Sequence, residues 1–461
     1  MVAAPHRLND ADAMFLAVER AAGVPYAPLS IAISAEPHSP EAVDRLREVS
    51  ARLLPAQRRR IVKDPLSIAL PRWADVPGFD PEDNTVRLAA PPGDGSMRAI
   101  LDWAAEWSLR PMDPRKPPWR AVVFENVTVD GVGGRVVTVS QTHHAMIDGQ
   151  GATRLGKLIL QFQPDGPLPE MPPPLPIDTS TAWEHWKAGW ALEGAKARTN
   201  AQRAGRWLRW AAADPRAGAT RAREWVQAVE RMRSHQSRTP NSPLLARTST
   251  ATRFDWITID WPSFKAGCQA AGASINDGFM GALSVGLHQY HLGHGVPVAD
   301  LRTAMAINTR TDDDPHGGNQ VIGVILGLPL HDDIRVAIKE CGEVSRDHRD
   351  DADVLRVIDG LRCCANRLPQ ALVAHGTKST LAGVDLQISN VSGIPVRYWV
   401  AGVESLGGIS FPTGGPGLSL VFISSMDRGD LGISSCPDSI KDPEHLIDRI
   451  REGFERVAAL A

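Results

Sequence analysis

The stretch that most constrains this chain is TVSQTHHAMIDGQGA, Thr138 to Ala152. The run before it, GRVVTVSQT, alternates around valines as a strand does, and Leu155, Leu158, Ile159 and Phe162 recur at helical spacing after it. His143 and His144 are thereby placed on a strand-to-helix turn, with Asp148 and Gly149 following. A neutral imidazole at the end of a rigid element can accept a proton near neutral pH. Gly149 and Gly151 let the backbone turn tightly, and Asp148 falls near the N-terminus of the following helix, where amides and dipole favour a carboxylate. On an extended strand end neighbouring side chains point to opposite sides, so only one of the two histidines is expected to face the site.

Paired histidines and an aspartate also describe a metal site or a polar turn. No further His, Cys or carboxylate falls nearby at a recurrent ligand spacing, so no metal is expected. The chain lacks the GxSxG elbow of a serine hydrolase. At 461 residues it can fill two domains, and 43% hydrophobic with 22% charged residues is the balance of a globular protein. A net charge of -3 gives no reason to expect a nucleic-acid partner. Five cysteines without a CxxC pair suit a reducing compartment. The start, MVAAPHRLNDADAM, lacks the apolar core of a signal peptide, and no segment approaches the roughly 18 apolar residues of a membrane helix. The expectation is a cytoplasmic protein, or one held only at the surface of a membrane or lipid droplet.

Asn9 or Asp10 can cap a first helix carrying Met14, Phe15, Leu16 and Val18, and PLSIAIS alternates with Leu29, Ile31 and Ile33 on one face. Pro40 opens a helix striped by Val43, Leu46, Val49 and Leu53. Helices and strands alternate, so the class is α/β or α+β. Pro111, Pro114, Pro117 and Pro118 forbid regular helix before a strand near Trp119, which predicts an extended arm with Trp119 as a packing residue. Pro164 to Ser180 reads as a stiff linker. From Trp183 to Arg238 there are six of the chain's 13 tryptophans and twelve Lys or Arg against five acidic residues. Such a helical segment fits an anionic lipid surface. It fits equally a connector whose tryptophans pack while its arginines face water. In GASINDGFMGALSVGLHQYH, Ile275, Phe279, Leu283 and Leu287 form one buried helical face, and Asn276 and Asp277 suit capping. LSLVFISSM and DLGISSC flank Asp427-Arg428-Gly429 as a hairpin, and Asp442-Pro443 starts a last helix with Ile447, Ile450, Phe454 and Val457 inward.

HHxxxDG on a strand-turn-helix resembles the active-site signature of the CoA-dependent acyltransferases, among them chloramphenicol and carnitine acyltransferases, peptide-synthetase condensation domains and the bacterial wax ester synthase/diacylglycerol acyltransferases. Further segments, in order, resemble the last of these. They are LNDADAMFLAVE, RPMDPRKPPWR with Pro118 and Arg120 departing from a leucine and an acidic residue, NDGFMGAL, a strand end at Arg310 with Ile307, Asn308 and Thr309 departing, Gly318-Asn319, Leu328-Pro329 and LQISNVSGIP. The resemblance implies two chloramphenicol-acetyltransferase-like halves, residues 1–180 and 246–461, each a mixed sheet flanked by helices. A helical connector, 181–245, would join them, and a tunnel would run between them. It implies transfer of a long-chain fatty acyl group from acyl-CoA to a long-chain alcohol or diacylglycerol, with acyl-CoA as co-substrate and no other cofactor. His144 is implied as general base, His143 as its packing or hydrogen-bonding neighbour, and Asp148 and Gly149 as the hold and bend of the turn. Asn276, Asp277, Arg310, Ser389 and Asn390 are implied to bind substrate or shape the site, with Arg310 as the ion-pair partner of Asp148 and Asn276 as a candidate oxyanion donor. Two alternatives stand beside this. A carrier-protein-dependent condensation or polyketide-ester acyltransferase shares HHxxxDG but is not expected to carry NDGFMGAL and ISNVSGIP together. A non-catalytic lipid-surface protein of the same fold is opposed by the intact His144 and Asp148.

Overall fold

The computed structural model describes residues 7–44, 55–64, 66, 69–89, 93–146, 160–164, 166–167, 178–234, 241–308, 321–368 and 370–461. β1 (Leu29–Ser34) buries Leu29, Ile31 and Ile33 on one face, the period-two pattern its sequence predicts. It pairs antiparallel on one side with β6 (Val132–Thr142), Leu29 opposite Gln141. On its other side it pairs with β13 (Val403–Phe411), Leu29 opposite Phe411. The first sheet runs β4 (Thr85–Leu88), β5 (Trp119–Val129), β6, β1, β13, β12 (Trp399–Val400), β7 (Leu160–Gln161). β2 (Arg59–Val62) and β3 (Arg72–Asp75) form a separate pair. The second sheet runs β10 (Val321–Pro329), β9 (Asp300–Asn308), β11 (Leu386–Ser392), β14 (Leu418–Ser425), β15 (Arg428–Ser435), β8 (Arg253–Asp260).

Two mixed sheets with helices are thus present, as expected, but β12 and β13 come from late in the chain and complete the sheet of the early half. A division by chain order at 245/246 does not coincide with the division between sheets. Phe254 of β8 packs on Phe411 of β13 with ring centroids 4.8 Å apart, so the two apolar cores meet. The β14–β15 hairpin forms where expected, turning at Met426–Asp427. Phe162, expected on a helix, lies just beyond β7, because Leu160 and Gln161 are taken up as the partners of Val400 and Trp399. Of the helix expected from Pro40, residues 40–44 are helical and the rest lies outside the described residues.

α1 (Asp10–Ala22) starts in a capping box between Asn9 and Asp12. Its Asp10 accepts hydrogen bonds from Asn366 and Arg367 of the second half, so α1 is tied across the molecule. α2 (Met97–Ser108) covers the first sheet. α3 (Ala182–Ala213) and α4 (Pro215–Ser234) form the connector. α5 (Trp261–Ala270), α6 (Ile275–Gly293), α7 (Ile334–Asp350) and α10 (Pro443–Ala458) pack about the second sheet's core, and α8 (Ala352–Ala365) and α9 (Gln370–Ala382) lead back to β11. α6 is enclosed by its neighbours because it has glycine where they cross. A Cβ on Gly281 would come within 2.6 Å of Ile338 Cγ1, and one on Gly286 within 2.6 Å of the Arg449 carbonyl.

Candidate active site

β6 ends at Thr142 and the chain turns at once, the Met146 N–H donating to the His143 carbonyl at 2.9 Å. The His143 N–H donates to the Pro118 carbonyl at 2.9 Å, and the His144 N–H to the Tyr26 carbonyl at 3.1 Å. The proline-rich arm and the loop before β1 therefore fix the backbone of both histidines. Behind them, fully buried Gln141 donates to the carbonyls of Ala27 (3.1 Å) and Ser108 (3.0 Å). Arg120 donates to the Gln141 side-chain oxygen at 2.7 and 3.0 Å and lies 4.3 Å over the Trp107 ring. Burial, together with Arg110, lowers its pKa to about 10, which leaves it charged at neutral pH. Trp119 is a packing residue as expected, its ring edge-on to Phe79 and its indole N–H bonded to the Gln57 carbonyl.

Both histidines meet α1, His144 through the face of its ring and His143 from a buried position. Phe15 and Glu19 are four residues apart and share one face of α1. The Phe15 ring stacks on His144 at 4.1 Å between centroids and 22°, and Tyr26 stacks nearby at 5.7 Å. His143 is buried, and its Nδ1 accepts the Ala145 N–H at 3.0 Å. That contact fixes the tautomer, leaving the proton on Nε2. Nε2 lies 3.0 Å from the Glu19 carboxylate, an ion-pair distance, although off the line of a hydrogen bond. Burial works to raise the Glu19 pKa, but His143, the Tyr26 N–H and Arg20 together more than offset it and the carboxyl is held below its ordinary range.

The second half closes the site from beyond β13. Tyr26 donates its N–H to Glu19 at 3.2 Å, and its hydroxyl lies 3.4 Å from Gln387 Nε2 on β11. Burial raises the Tyr26 pKa, so the phenol keeps its proton. The Thr413 hydroxyl ties the end of β13 to the Ala27 carbonyl at 2.8 Å. Ser419, on β14, buries a hydroxyl that has no hydrogen-bond partner among the described residues. A Cβ at Gly415 would lie 2.7 Å from both Gln387 Oε1 and Ser419 Oγ, so glycine there keeps this polar corner open. Beside α1 a cleft of about 470 Å³ is bounded by Leu16, Ile61 and Met112, with Arg20, Lys63 and Glu19 on its walls.

The other expected site residues divide. Asp148, Gly149 and Arg310 lie outside the described residues, and so does the expected Asp148–Arg310 pair. Ser389 and Asn390 lie within β11. Ser389 is two residues from Gln387 and so shares the strand face that reaches Tyr26. Asn276 and Asp277 turn elsewhere. Ser274 caps α6 and makes a reciprocal box with Asp277 at 3.1 and 3.2 Å, while Arg346 pairs with Asp277 at 3.4 Å. Asn276 donates to Ser345 Oγ at 3.3 Å and to Met280 Sδ at 3.4 Å. Their contacts fasten α6 to α7, and none reaches His143 or His144. Phe15, Glu19, Tyr26 and Gln387 are the site residues that sequence patterning does not single out. The available signal was the Phe15-to-Glu19 interval inside LNDADAMFLAVE, which reads otherwise as an amphipathic helix.

Residues 8–279 match the family described as wax ester synthase/diacylglycerol acyltransferase catalytic domain, and residues 317–458 match its C-terminal domain. Two relatives from Mycobacterium tuberculosis H37Rv share the name "Putative diacyglycerol O-acyltransferase". One is 28% identical over 429 residues, 90% of this chain and 84% of the relative; the other is 26% identical over 491 residues, 99% and 97%. Among solved structures, the wax ester synthase/diacylglycerol acyltransferase of Marinobacter aquaeolei VT8 superposes with a TM-score of 0.62 at 17% identity, covering 98% of each chain. The first condensation domain of the calcium-dependent antibiotic synthetase gives 0.63 at 15% identity, covering 99% of this chain and 96% of that one. The two superpositions are equally good, so they show a common fold without choosing between branches, and the choice comes from the sequence matches at both ends of the chain. On those matches the chain belongs to the wax ester synthase/diacylglycerol acyltransferase family.

Proposed function

We propose that the protein transfers a long-chain acyl group from acyl-CoA to the hydroxyl of a long-chain alcohol or diacylglycerol, with His144 as the general base. The observation that carries this reading is the His144 ring, set at a strand end and stacked on Phe15 at 4.1 Å. An aromatic stack fixes the plane of an imidazole, and a general base has to be held in a fixed orientation. His144 takes the acceptor's hydroxyl proton as the oxygen attacks the thioester carbonyl. The tetrahedral intermediate collapses with cleavage of the C–S bond, and the imidazolium returns the proton to the departing thiolate, giving ester and free CoA. No acyl-enzyme is needed. His143, with its tautomer fixed and Glu19 beside it, is a positioning residue. The cleft supports the donor side of the reading, since its apolar walls suit an acyl chain and Arg20 and Lys63 suit phosphate.

No helix among the described residues is long and apolar enough to cross a membrane. Substrates of this class partition into lipid, so the protein would work peripherally, at a membrane or lipid-droplet surface. Purified protein given palmitoyl-CoA should release free CoA faster when hexadecanol or dioleoylglycerol is added. Release unaffected by either acceptor would overturn the proposal. Acceptance of an acyl group only from a carrier protein would favour the condensation-type alternative.

A further inference from the structure

Charge and aromatic groups on the connector are sorted along its length. At its base α3 is fastened to the body: His185 and Glu193 are buried, Glu193 pairs with Lys196 at 2.9 Å and lies 3.5 Å from Arg367. The far end of α4 is fastened too. Ala228 packs on Val354 and Val357 of α8, and Arg231 pairs with Asp351 at 2.6 Å. Between these footings nothing from Gly194 to Ala213 is buried, a stretch of helix about 30 Å long. The turn follows at Asp214, where Gly218 packs so closely on Ala211 that a Cβ would come within 2.8 Å. The pair therefore makes a projecting elbow.

On that elbow the basic residues change character. The side chains of Arg198, Arg203, Arg206, Arg209 and Arg216 have no ion-pair or hydrogen-bond partner among the described residues, and the one acidic residue from Gly194 to Thr220, Asp214, accepts the Ala217 N–H at 3.0 Å. Among these arginines stand Trp207, Leu208 and Trp210, exposed by 44%, 61% and 46%. Arg203 and Trp207, and likewise Arg206 and Trp210, are four apart, so each cation neighbours an indole on the same helix face. At the base Trp183 stacks on Trp186 at 4.9 Å, with Trp183 and Trp190 also exposed, but there the nearby acidic residues Glu184 and Glu193 balance the charge.

From this geometry we infer that the elbow around Trp207 and Trp210 is a docking element for an anionic lipid surface, with the arginines on lipid phosphates and the indoles at headgroup depth. Charge complementarity selects this occupant. Unpaired cations interleaved with indoles match a surface that is anionic outside and apolar beneath, whereas a protein groove would have to pair each arginine. The inference deepens the lipid-substrate reading, because an enzyme drawing an insoluble acceptor must meet the surface that holds it. Its observations do not depend on the chemistry.

The test is cosedimentation of the full chain with phosphatidylcholine vesicles made with and without phosphatidylglycerol. Three proteins are compared: wild type, the R203Q/R206Q/R209Q variant and the W207A/L208A/W210A variant, each checked for unchanged helicity. Wild type should bind the phosphatidylglycerol vesicles and bind less with added salt, since exposed charge is screened over about 10 Å at 0.1 M. The arginine variant should bind roughly 10²-fold more weakly. The tryptophan variant should lose affinity on both vesicle types, and lose more than Trp183→Ala does. Equal binding of wild type to both vesicle types, or undiminished binding by both triple variants, overturns the inference. So does self-association through the elbow, seen as a dimer in light scattering that the tryptophan variant abolishes while vesicles go unbound. Elbow-dependent vesicle binding without acyl transfer would leave the docking element standing and remove the proposed chemistry.

Discussion

The turn at His143–His144 and the start of α6 at Asn276–Asp277 both carry polar side chains belonging to motifs of the family, and the structure uses them differently. The first turn gathers groups from distant parts of the chain: Phe15 and Glu19 from α1 and Tyr26 from the loop before β1, with Gln387 of β11 behind Tyr26. The second keeps its polar groups at home, on Ser274, Ser345 and Arg346. Convergence of non-local groups on an imidazole marks the place where chemistry can be supported, and local satisfaction marks a structural joint.

Substitutions that separate the two regions follow from this. His144→Ala should lose about 10² to 10⁴ in acyl-transfer rate while its unfolding temperature stays near that of wild type. Phe15→Ala should lower kcat by roughly tenfold to a hundredfold, since a misplaced base costs that much, and Phe15→Leu should recover only part because the stack is gone. At the joint the order reverses. Asp277→Ala removes one side of a capping box and the Arg346 partner and should cost about 1–2 kcal/mol in denaturant unfolding, with kcat nearly unchanged. If Asn276→Ala or Asp277→Ala lowers kcat as much as Phe15→Ala, the contrast drawn between the regions fails. The smallest effect is expected from Glu19→Gln. The Glu19 carboxyl sits below its ordinary pKa, so its contribution is present above the ordinary carboxylate range and is lost as pH falls through the lowered value. Because its side chain is 40% exposed, that contribution should be only a few tenths of a kcal/mol to about 1 kcal/mol at neutral pH. The variant's stability should converge with wild type in acid.

Where function is concerned, the sequence showed its local parts. Alternation marks β1 and β6, the glycine-spaced apolar face marks α6, and Leu446, Ile450, Phe454 and Val457 bury the face of α10 that periodicity points to, with Ile447 at its edge. What stayed hidden is what pairs with what. Nothing in VESLGGISF tells that it leaves its own half to lie beside β1, because edge complementarity between distant strands leaves no periodic trace. On the connector, a helical wheel shows arginines and tryptophans mixed. Only the burial along α3 and α4 separates a paired base from a bare elbow.

In the proposed reaction the proton leaves the acceptor through His144. The most direct measurement is the pH dependence of kcat/KM for free-CoA release with palmitoyl-CoA and a saturating alcohol, in wild type and in His144→Ala. A base must be neutral to accept a proton, so the wild-type rate should rise with pH through the imidazole range and level off above it. The residual rate of His144→Ala should lack that step. A His144→Ala profile that keeps the same rise and plateau would place the base on another group and contradict the account.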